Sequence, residues 1–244
     1  MQTGLYVALS SQVALDRRLT TIADNLANVN TTGFRATEIK FDDVMSQTAE
    51  ANGGKIAFVS QGTDYLATRP GELAQTGDTF DFAIRGDGWF AIDTPAGQVL
   101  TRDGRFTIRE DGSLVSSRGY AVLDPGGGAI QLNREGGPPQ VGADGSVFQD
   151  GKLVNKIGTF TIDITKGFSR YENSGIIPAD RPRPTIEGES GNILQGYLEN
   201  SNVNGIREMT QLIEVNRAFE NIAALTTDSE SSMDEAIKTL AGTR

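Results

Sequence analysis

The sequence predicts an α+β protein in which N- and C-terminal helices are paired as a coiled-coil stalk, with a central all-β antiparallel domain. At both ends of the chain, apolar residues recur in alternating steps of three and four, which is the spacing of a coiled coil. In the middle they recur at every second residue between turn signals, which is typical of short antiparallel strands. We therefore expect an N-terminal helix at 1–30, an extended linker region at 31–60, a β-domain at 61–197 and a C-terminal helix at 198–244.

The N-terminal helix carries one apolar stripe, which Gln12 interrupts. The members of the stripe are Leu5, Ala8, Gln12, Leu15, Leu19, Ile22, Leu26 and Val29. A polar residue in such a stripe fixes the register of two helices at some cost in stability. Asn28, Asn30 and Gly33 should end the helix, because Asn and Gly accept the left-handed conformation that follows many helices.

The central segment should consist of short strands joined by tight turns. Asp-Gly pairs lie between the alternating runs at 103–104, 111–112, 144–145 and 150–151, and such pairs are strong hairpin signals. Strands that recur about every ten residues indicate an antiparallel sandwich or a barrel-like domain. The run 152–164 is predicted to be the longest strand.

The C-terminal helix should begin after Asn204, which is a suitable N-cap, with Glu208 in the first turn where the helix dipole favours an acid. Its stripe consists of Met209, Leu212, Asn216, Phe219, Ala223, Thr226, Glu230, Met233, Ile237 and Leu240. Ile222 and other apolar residues flank this stripe. Because a stripe this broad suits a helix with more than one neighbour, association with other chains is one interpretation. An intramolecular helix pair packed on the central domain is the simpler one.

Composition excludes several classes of function. The net charge is −10 and no Lys/Arg cluster stands out, so nucleic acid and anionic membranes are poor partners. The absence of Cys excludes thiol chemistry, and the absence of His removes the usual general base and metal ligand. We predict no cofactor, no metal and no small-molecule substrate. No signal peptide is visible, so we expect a cytoplasmic protein or one that leaves the cell without a cleaved signal.

The acidic residues offer only a weak catalytic alternative. Asp42 and Asp43, or the group of Asp78, Asp81 and Asp87, could supply paired carboxylates for sugar cleavage. Surface acids are the simpler interpretation in a chain with 32 acidic residues. A cell-wall glycan hydrolase and a monomeric binding module with an internal helix pair therefore stay as alternatives to an assembling protein.

Two stretches near the ends of the chain carry sequence motifs. The motif residues of the stretch 23–35 are Asn25, Leu26, Ala27, Asn28, Gly33 and Phe34, and those of the stretch 198–219 are Ser201, Asn202, Val203 and Asn204. These stretches resemble the N-terminal and C-terminal signatures, respectively, of the bacterial flagellar axial proteins, the rod and hook subunits. The segments 101–106 and 111–115 are similar to the β-domain repeats of the same proteins. Within the basal-body rod family, the residues at 87–90 and the short segment between Phe41 and Phe58 favour a proximal over a distal rod subunit.

The resemblance implies a structural role in a hollow shaft. In this family the terminal helices form an inner layer of coiled coil around an export channel, and the β-domain lies outside. Subunits leave through the flagellar type III export apparatus without a cleaved signal and assemble in the periplasm into the rod that transmits torque. The expected partners are copies of this chain, other rod subunits and the export apparatus.

The resemblance also implies which residues face neighbouring subunits. The expected axial interface consists of Leu5, Leu15, Leu19, Ile22, Leu26 and Val29 at the N-terminal end and Met209, Leu212, Phe219, Ile222, Met233 and Ile237 at the C-terminal end. Asn28 and Gly33 would define the exit of the first helix, or would act only as an ordinary helix cap. A distal rod or hook-type subunit is the alternative within the family.

Overall fold

A computed structural model describes the backbone of residues 2–41, 43–46, 56–60, 62–185 and 192–242, and the side chains of this part except at 2–5, 43–46, 56–59, 229–230 and 233–234. It contains two long helices and many antiparallel strands, so the predicted α+β class with a β-domain is confirmed. The chain divides into two compact units. The helical unit comprises Met1–Ala27, Thr37–Asp64 and Asn204–Arg244, and the β-unit comprises Asn28–Ala36 and Tyr65–Val203.

The helical unit is built on two helices, α1 (Gln2–Ala27) and α2 (Gly205–Ala241). At 1.5 Å per residue they are about 39 and 56 Å long. The strands between them are β1 (Thr37–Lys40), β2 (Asp43–Ser46), β3 (Ile56–Val59) and β4 (Thr63–Leu66), the last of which ends in the β-unit. Strands β2 and β3 form an antiparallel hairpin, and β1 pairs with β4.

The ends of the helices follow from local hydrogen bonds. Asn204 is the N-cap of α2, as predicted, because its side-chain oxygen accepts a hydrogen bond from the backbone N–H of Arg207 at 3.1 Å. Helix α1 ends at Ala27, and Val29 lies in the turn that follows rather than on the helix. In that turn the backbone N–H and the hydroxyl of Thr31 donate to the backbone and side-chain oxygens of Asn28 at 3.1 and 3.0 Å.

The β-unit contains sixteen further strands and a 3-10 helix at Ile164–Lys166. The strands are β5 (Leu73–Gln75), β6 (Phe82–Arg85), β7 (Trp89–Thr94), β8 (Gly97–Thr101), β9 (Phe106–Ile108), β10 (Leu114–Ser116), β11 (Ala121–Val122), β12 (Gln140–Val141), β13 (Ser146–Gln149), β14 (Lys152–Lys156), β15 (Thr159–Thr161), β16 (Phe168–Tyr171), β17 (Gly175–Pro178), β18 (Arg183–Pro184), β19 (Asn192–Gln195) and β20 (Tyr197–Glu199).

The main sheet of the β-unit has the order β16-β17-β8-β7-β11-β10-β9, and β15 pairs with both β7 and β18. Strands β12, β13 and β14 form a smaller sheet, β19 pairs with β6, and β20 pairs with β5. The pairs are antiparallel, as the hairpin signals predict. In the turn between β13 and β14, Asp150 and Gly151 both have positive φ (50° and 73°), which is the conformation that Asp-Gly favours in a two-residue hairpin.

The β-unit has its own hydrophobic core on both faces of β7. Phe90 and Ile92 belong to a large cluster with Phe82 and Phe106, whereas Ala91 between them belongs to a second cluster that includes Phe160. The rings of Phe90 and Phe106 meet edge to face with centroids 5.2 Å apart, an arrangement that aromatic pairs prefer. Strand β7 is therefore the centre of the unit, and its six residues make it the longest strand of the described chain.

The predicted long strand at 152–164 is wrong, because the run divides into β14 and β15. At the break, the backbone N–H of Ile157 donates to Gly145 and that of Gly158 donates to Leu123, at 2.8 and 3.0 Å. A Cβ at Gly158 would lie 2.8 Å from the backbone of Asp124, so the chain passes there too closely for a side chain. The two halves of the run consequently pair with different sheets.

Candidate functional site

The two terminal helices contact each other within the helical unit. Near the end of α1, the side-chain amide of Asn25 donates to the carboxylate of Glu208 in the first turn of α2 at 3.4 Å. The last turn of α1 therefore lies beside the first turn of α2, which indicates that the helices run in opposite directions. Because α2 has 37 residues and α1 has 26, about ten residues of α2 continue beyond the start of α1.

Asn25, a residue of the predicted family motif, is 3% exposed although it is polar. Its side-chain oxygen accepts from the backbone N–H of Thr37, and its amide also donates to the backbone oxygen of Thr37, both at 2.9 Å. With the contact to Glu208, one side chain connects α1, β1 and α2. Buried polar groups are stable only when they are hydrogen-bonded, and Asn25 meets that requirement.

The predicted axial residues differ in how far the single chain covers them. On α1, Ile22 is buried and Leu15, Leu19 and Leu26 are half-buried; Val29, beyond the helix, is half-buried too. On α2, Leu212, Phe219 and Ile222 are half-buried, whereas Met209 and Ile237 are exposed. The side chains of Leu5 and Met233 lie outside the described residues. Contact of these residues with other subunits stays a prediction.

The buried face of α2 differs from the predicted stripe at one position. Val215 is 5% exposed, whereas Asn216, which the spacing places on the stripe, is exposed with its amide 3.4 Å from the carboxylate of Glu220. Consecutive residues of a helix point about 100° apart. When Val215 is buried, the side-chain amide of Asn216 therefore lies in water, which a polar group without a buried partner favours. Sequence spacing alone missed Val215 because both positions fit an apolar face that is broader than one stripe.

Large apolar side chains of both helices are exposed on the single chain. They follow the same three–four spacing on each helix: Tyr6, Leu9 and Val13 on α1, and Ile206, Met209 and Ile213 on α2. Leu225, Ile237 and Leu240 are exposed further along α2, and Leu240 is 80% exposed. Such stripes of apolar surface are typical of interaction sites.

The motif residue Gly33 lies in the β-unit at the start of a buried segment, 33–36. Its φ is +69°, and a Cβ would lie 2.2 Å from the backbone nitrogen of Asp103, so only glycine fits. Its backbone N–H donates to the backbone oxygen of Glu199 at 2.7 Å. The next motif residue, Phe34, is buried, and the Arg170 guanidinium lies 4.5 Å from its ring centre.

Glu199 is a buried carboxylate at the point where the segments 33–36 and 199–202 meet. It is 1% exposed and lies between two arginines. Its Oε1 is 2.6 Å from Nη2 of Arg35 and accepts from the backbone N–H of Gly71 at 2.9 Å, and its Oε2 is 2.9 Å from Nη1 of Arg102. Four parts of the chain therefore meet at one carboxylate, and we call this cluster the Glu199 junction.

Each arginine of the junction also binds backbone oxygens. Arg35 donates to Thr68 and Arg69 at 3.1 and 2.5 Å. Burial lowers the pKa of Arg35 to about 10, and the Glu199 charge opposes that change. The junction thus places two cations beside one anion in the interior, with the charge of Asp87 also acting on them.

Arg102 fixes the junction to the sheet. It donates to the backbone oxygens of Ile84 and Gly86 at 2.9 and 2.6 Å. Burial lowers its pKa as well, against the attraction of Glu199. Removal of one member of a buried ion pair leaves an uncompensated charge, which typically costs about 3–5 kcal/mol.

Asn202, another motif residue, binds the segment 33–36 and the segment 67–69. Its side-chain oxygen accepts from the backbone N–H of Ala36 at 2.7 Å, and its amide donates to the backbone oxygens of Ala67 and Arg69 at 3.4 and 2.8 Å. Ser201 accepts from the backbone N–H of Val203 at 3.3 Å, and both are half-buried. Residues of the C-terminal motif thus form hydrogen bonds in the segment that leads into α2.

Sequence reasoning missed the Glu199 junction as a unit. Arg35, Arg102 and Glu199 all lie within the stretches that carry the family resemblance, but their partners are far apart in the chain. Arg102 and Glu199, for example, are separated by 97 positions. One sequence feature could have indicated the junction: a charged residue lies directly after an apolar residue of a strand or motif, as Glu199 does after Leu198 and Arg35 after Phe34. That pattern indicates burial of a charge but not its partner.

The described residues give no support for the catalytic alternative. Asp78 accepts from the backbone N–H of Phe80 at 2.9 Å, and Asp81 forms a backbone bridge with Arg105. Asp87 is exposed, and its charge raises the pKa of Arg35 in the junction. The side chains of Asp42 and Asp43 lie outside the described residues. In the described part of the chain, no three acidic residues are grouped as a metal site would require. None of the described helices has the length and apolar character needed to cross a membrane.

Three family models match the chain, and together they cover both ends and the middle. Residues 5–35 match the flagella basal body rod protein, and residues 194–239 match the C-terminal part of the flagellar basal body rod FlgEFG protein. Residues 83–149 match the D1 domain of the flagellar hook protein FlgE/F/G. The matches at 5–35 and 194–239 contain the two terminal motifs.

Curated relatives match over the full chain. The flagellar basal-body rod protein FlgF of Rhizobium meliloti (strain 1021) is 54% identical over 244 residues, 100% of both chains. FlgF of Mesorhizobium japonicum is 56% identical over 240 residues, 98% of each chain. The flagellar basal-body rod protein FlgG of Bacillus subtilis (strain 168) is 32% identical over 262 residues, which cover 97% of this chain and 98% of that protein.

The chain has two long helices, a separate β-unit and a buried junction between the segments that lead to the helices. This arrangement defines a structural axial protein. The chain belongs to the flagellar basal-body rod protein family. Its predicted resemblance to the proximal rod protein, FlgF, is confirmed, as are its structural role and the prediction that it is not an enzyme. Membership places it in the basal-body rod and implies assembly with other rod subunits.

Proposed function

We propose that the chain polymerises through its terminal helices into a hollow shaft that transmits torque, with the β-unit outside the helical layer. The observation that carries this proposal is the exposure of large apolar side chains along both helices, up to 82% at Ile206. Full burial of one such side chain contributes about 1.5–3 kcal/mol. Head-to-tail association of different surfaces generates a helical tube when successive subunits do not close into a ring, and the proposed association is of this non-closing kind.

The axial elements in this proposal are the terminal segments at 1–30 and 198–244, which contain α1 and α2 and are linked through 31–60 to a β-domain at 61–197. Their heptad spacing supports a coiled coil between subunits. The proposed contacts are those of the twelve axial residues: Leu5, Leu15, Leu19, Ile22, Leu26, Val29, Met209, Leu212, Phe219, Ile222, Met233 and Ile237. Met209 and Ile237 are exposed in the single chain, so they are available to a neighbour without rearrangement.

The route to the rod is part of the same proposal. The chain passes through the flagellar type III export apparatus without a cleaved signal and joins the rod where it crosses the periplasm. The family resemblance supports this route. Terminal helices with apolar faces that only neighbouring subunits would cover also suit this export route, because a chain that orders fully only on assembly passes more readily through a narrow channel.

The experiment replaces one exposed helical side chain with a carboxylate. Met209→Asp or Ile237→Asp, expressed in a strain that lacks this protein, should abolish swimming and rod completion, because each subunit would bury an unpaired charge. Leu153→Asp is the matched control, since Leu153 is an equally exposed apolar residue on the β-unit (64% exposed). Complete rods and normal swimming in both helix variants would refute the proposal.

A further inference from the structure

In the part of the helical unit that the structure describes, Asn25 is the one buried polar residue. Its side chain makes two hydrogen bonds of 2.9 Å with the backbone of Thr37 at the start of β1, and its amide lies 3.4 Å from the carboxylate of Glu208. The polar groups of Asn25 are therefore satisfied in an arrangement that brings the end of α1, the start of β1 and the first turn of α2 together.

The apolar faces of the two helices do not select one register by themselves. Between Glu208 and Thr226, the buried and half-buried positions of α2 follow in steps of three and four: 208, 211, 212, 215, 218, 219, 222, 223 and 226. A stripe with this repeat presents a similar surface when the facing helix slides by one turn, about 5.4 Å. Because burial of apolar area is non-directional, it favours the slipped and the observed arrangements almost equally.

The contact of Asn25 with Glu208 defines the observed register. Counting equal steps from it along the two antiparallel helices assigns facing residues to within about one position. Ala8 comes opposite Thr226, and the described residues of α2 beyond Thr226 are exposed, as expected near the start of α1. The apolar pairs that this count assigns are Ile22 with Leu212, Leu19 with Val215 and Leu15 with Phe219, all of them buried or half-buried.

We propose that Asn25 is a positioning residue that fixes the register of α1 against α2 and β1, so that each subunit presents its exposed apolar side chains to neighbours in the same arrangement. The inference rests on the proposed polymerisation through the helices. A slip of one turn would break the three hydrogen bonds of Asn25, and each such bond is worth about a factor of five in an equilibrium constant. Selection of one register is also the best-attested role of a single buried polar residue between helices.

Register matters for assembly because it determines where α1 stops covering α2. Ile237 and Leu240 are exposed and lie about three and four turns beyond Thr226, on the same face of α2. A slip of one turn would move the boundary of the covered stripe by about 5.4 Å. Subunits with different boundaries would offer different surfaces, whereas a regular polymer requires every copy to offer the same one.

The experiment measures the register in the full chain, which has no cysteine of its own. Ala8→Cys is combined in turn with Thr226→Cys, Ala223→Cys or Glu230→Cys, which place the second thiol at the assigned position or about one turn to either side. The rate of intrachain disulfide formation is measured in dilute protein under mild oxidation, because a disulfide requires Cβ atoms about 3.5–4.5 Å apart. Each pair is tested alone and with Asn25→Leu, which keeps an apolar side chain of similar size but removes the hydrogen bonds.

In the chain with Asn25, the Ala8–Thr226 pair should form its disulfide at least about tenfold faster than either of the other pairs. With Asn25→Leu this preference should fall to about threefold or less, while circular dichroism shows unchanged helical content. Cells that express Asn25→Leu in an otherwise unaltered chain should contain fewer rods.

Gln12→Leu is the matched control. It makes the same kind of polar-to-apolar change at a half-buried position of α1 about thirteen residues from Asn25, and the preference should stay unchanged. Glu208→Ala decides the question if Asn25→Leu loses its helices, because it removes only the contact with α2. We expect it to reduce the preference about fivefold.

Four results would overturn the inference. The first is no preference for Thr226 in the chain with Asn25, and the second is an unchanged preference in Asn25→Leu with native helical content, which would mean that the connections at the helix ends fix the register. The third is a preference that falls only in proportion to lost helical content. The fourth is a lost preference with normal rod formation, which would reject the role in assembly and leave polymerisation through the helices intact. Failure of polymerisation itself is detected separately, by Met209→Asp.

Discussion

The helical unit and the β-unit use apolar residues in opposite ways. Nearly every buried apolar side chain of the described residues belongs to the β-unit, and those of the helices are few: Ala14, Ile22 and Val215. The exposed large apolar side chains show the reverse distribution, with nine on α1 and α2: Tyr6, Leu9, Val13, Ile206, Met209, Ile213, Leu225, Ile237 and Leu240. One chain therefore contains a unit with its own completed core and a unit whose apolar surface is largely uncovered.

This difference separates folding from assembly. The β-unit buries Phe82, Phe90 and Phe106 against one another, and so it has the means to fold alone. The two helices pack on each other and on short strands of the helical unit, and their outer faces carry exposed apolar side chains. Stability that tertiary packing would give to those faces is missing in the single chain. Substitutions in the β-unit should therefore alter the melting of the chain, and substitutions in the helices should alter incorporation into rods.

The largest effect is expected from a charge on the half-buried face of a terminal helix. Leu19→Asp or Phe219→Asp should block rod incorporation completely, because loss of one such side chain typically costs about 2–5 kcal/mol and recurs at every subunit. The melting of the β-unit, followed by Trp89 fluorescence, should not change. Thr20→Asp adds the same charge at the exposed neighbouring position and should allow rods to form. Motile cells with Leu19→Asp or Phe219→Asp would contradict the comparison.

The converse substitution tests the core of the β-unit. Phe90→Ala removes a side chain of β7 with 0% exposure and should lower the free energy of unfolding by about 3–5 kcal/mol. For a unit of this size that corresponds to a decrease of roughly 10 °C in the Trp89 melting midpoint. Phe148→Ala, at an exposed phenylalanine of β13, is the control and should shift the midpoint by no more than a few degrees. Equal shifts would show that Phe90 is not part of a tightly packed core.

A smaller effect is expected at Gly33, and Gly77 provides a matched comparison. Their φ angles are +69° and +76°, so alanine pays about 1–2 kcal/mol for backbone conformation at either site. Only at Gly33 would the new Cβ meet backbone, 2.2 Å from Asp103, whereas nothing lies within 4 Å at Gly77. Gly33→Ala should therefore lower the free energy of unfolding of the β-unit by at least about 1 kcal/mol more than Gly77→Ala. Equal losses, measured by urea titration with Trp89 fluorescence, would show that the close approach has no cost.

The sequence predicts the features that depend on nearby residues. The N-cap at Asn204, the hairpin at Asp150 and the strand at Phe82 follow from local spacing and turn chemistry, and the structure confirms them. The alternation of buried and exposed residues is not seen in that strand, because Phe82, Ala83 and Ile84 are all buried. The family resemblance also singled out motif residues, among them Gly33 and Asn202, that lie at the Glu199 junction in the structure. What could not be read from one sequence was pairing at long range: Glu199 with Arg35 and Arg102, and Gly158 against Asp124, where the run 152–164 divides. The choice of Val215 over Asn216 is a similar case, because it depends on what each face of α2 contacts.

The smallest effect concerns acid sensitivity of the turns in the β-unit. Hydrogen bonds from Ser113, Ser146 and Thr165 hold the pKa of Asp111, Asp144 and Asp163, respectively, below the ordinary value of 3.8. A carboxyl group whose pKa is lowered by folding adds stability at pH values above its unfolded pKa, and that stability is lost as pH falls through the folded pKa.

The variant that replaces these three aspartates with asparagine tests this effect, because the asparagine oxygen can still accept the backbone N–H of each turn but the side chain cannot ionise. At pH 7 its Trp89 melting midpoint should lie slightly below that of the wild type. The difference should shrink as pH falls below about 4 and vanish once the wild-type carboxyl groups are protonated. A difference that persists at pH 2 would mean that the substitutions act through turn geometry, and the β-unit would then lack this electrostatic contribution to its greater stability.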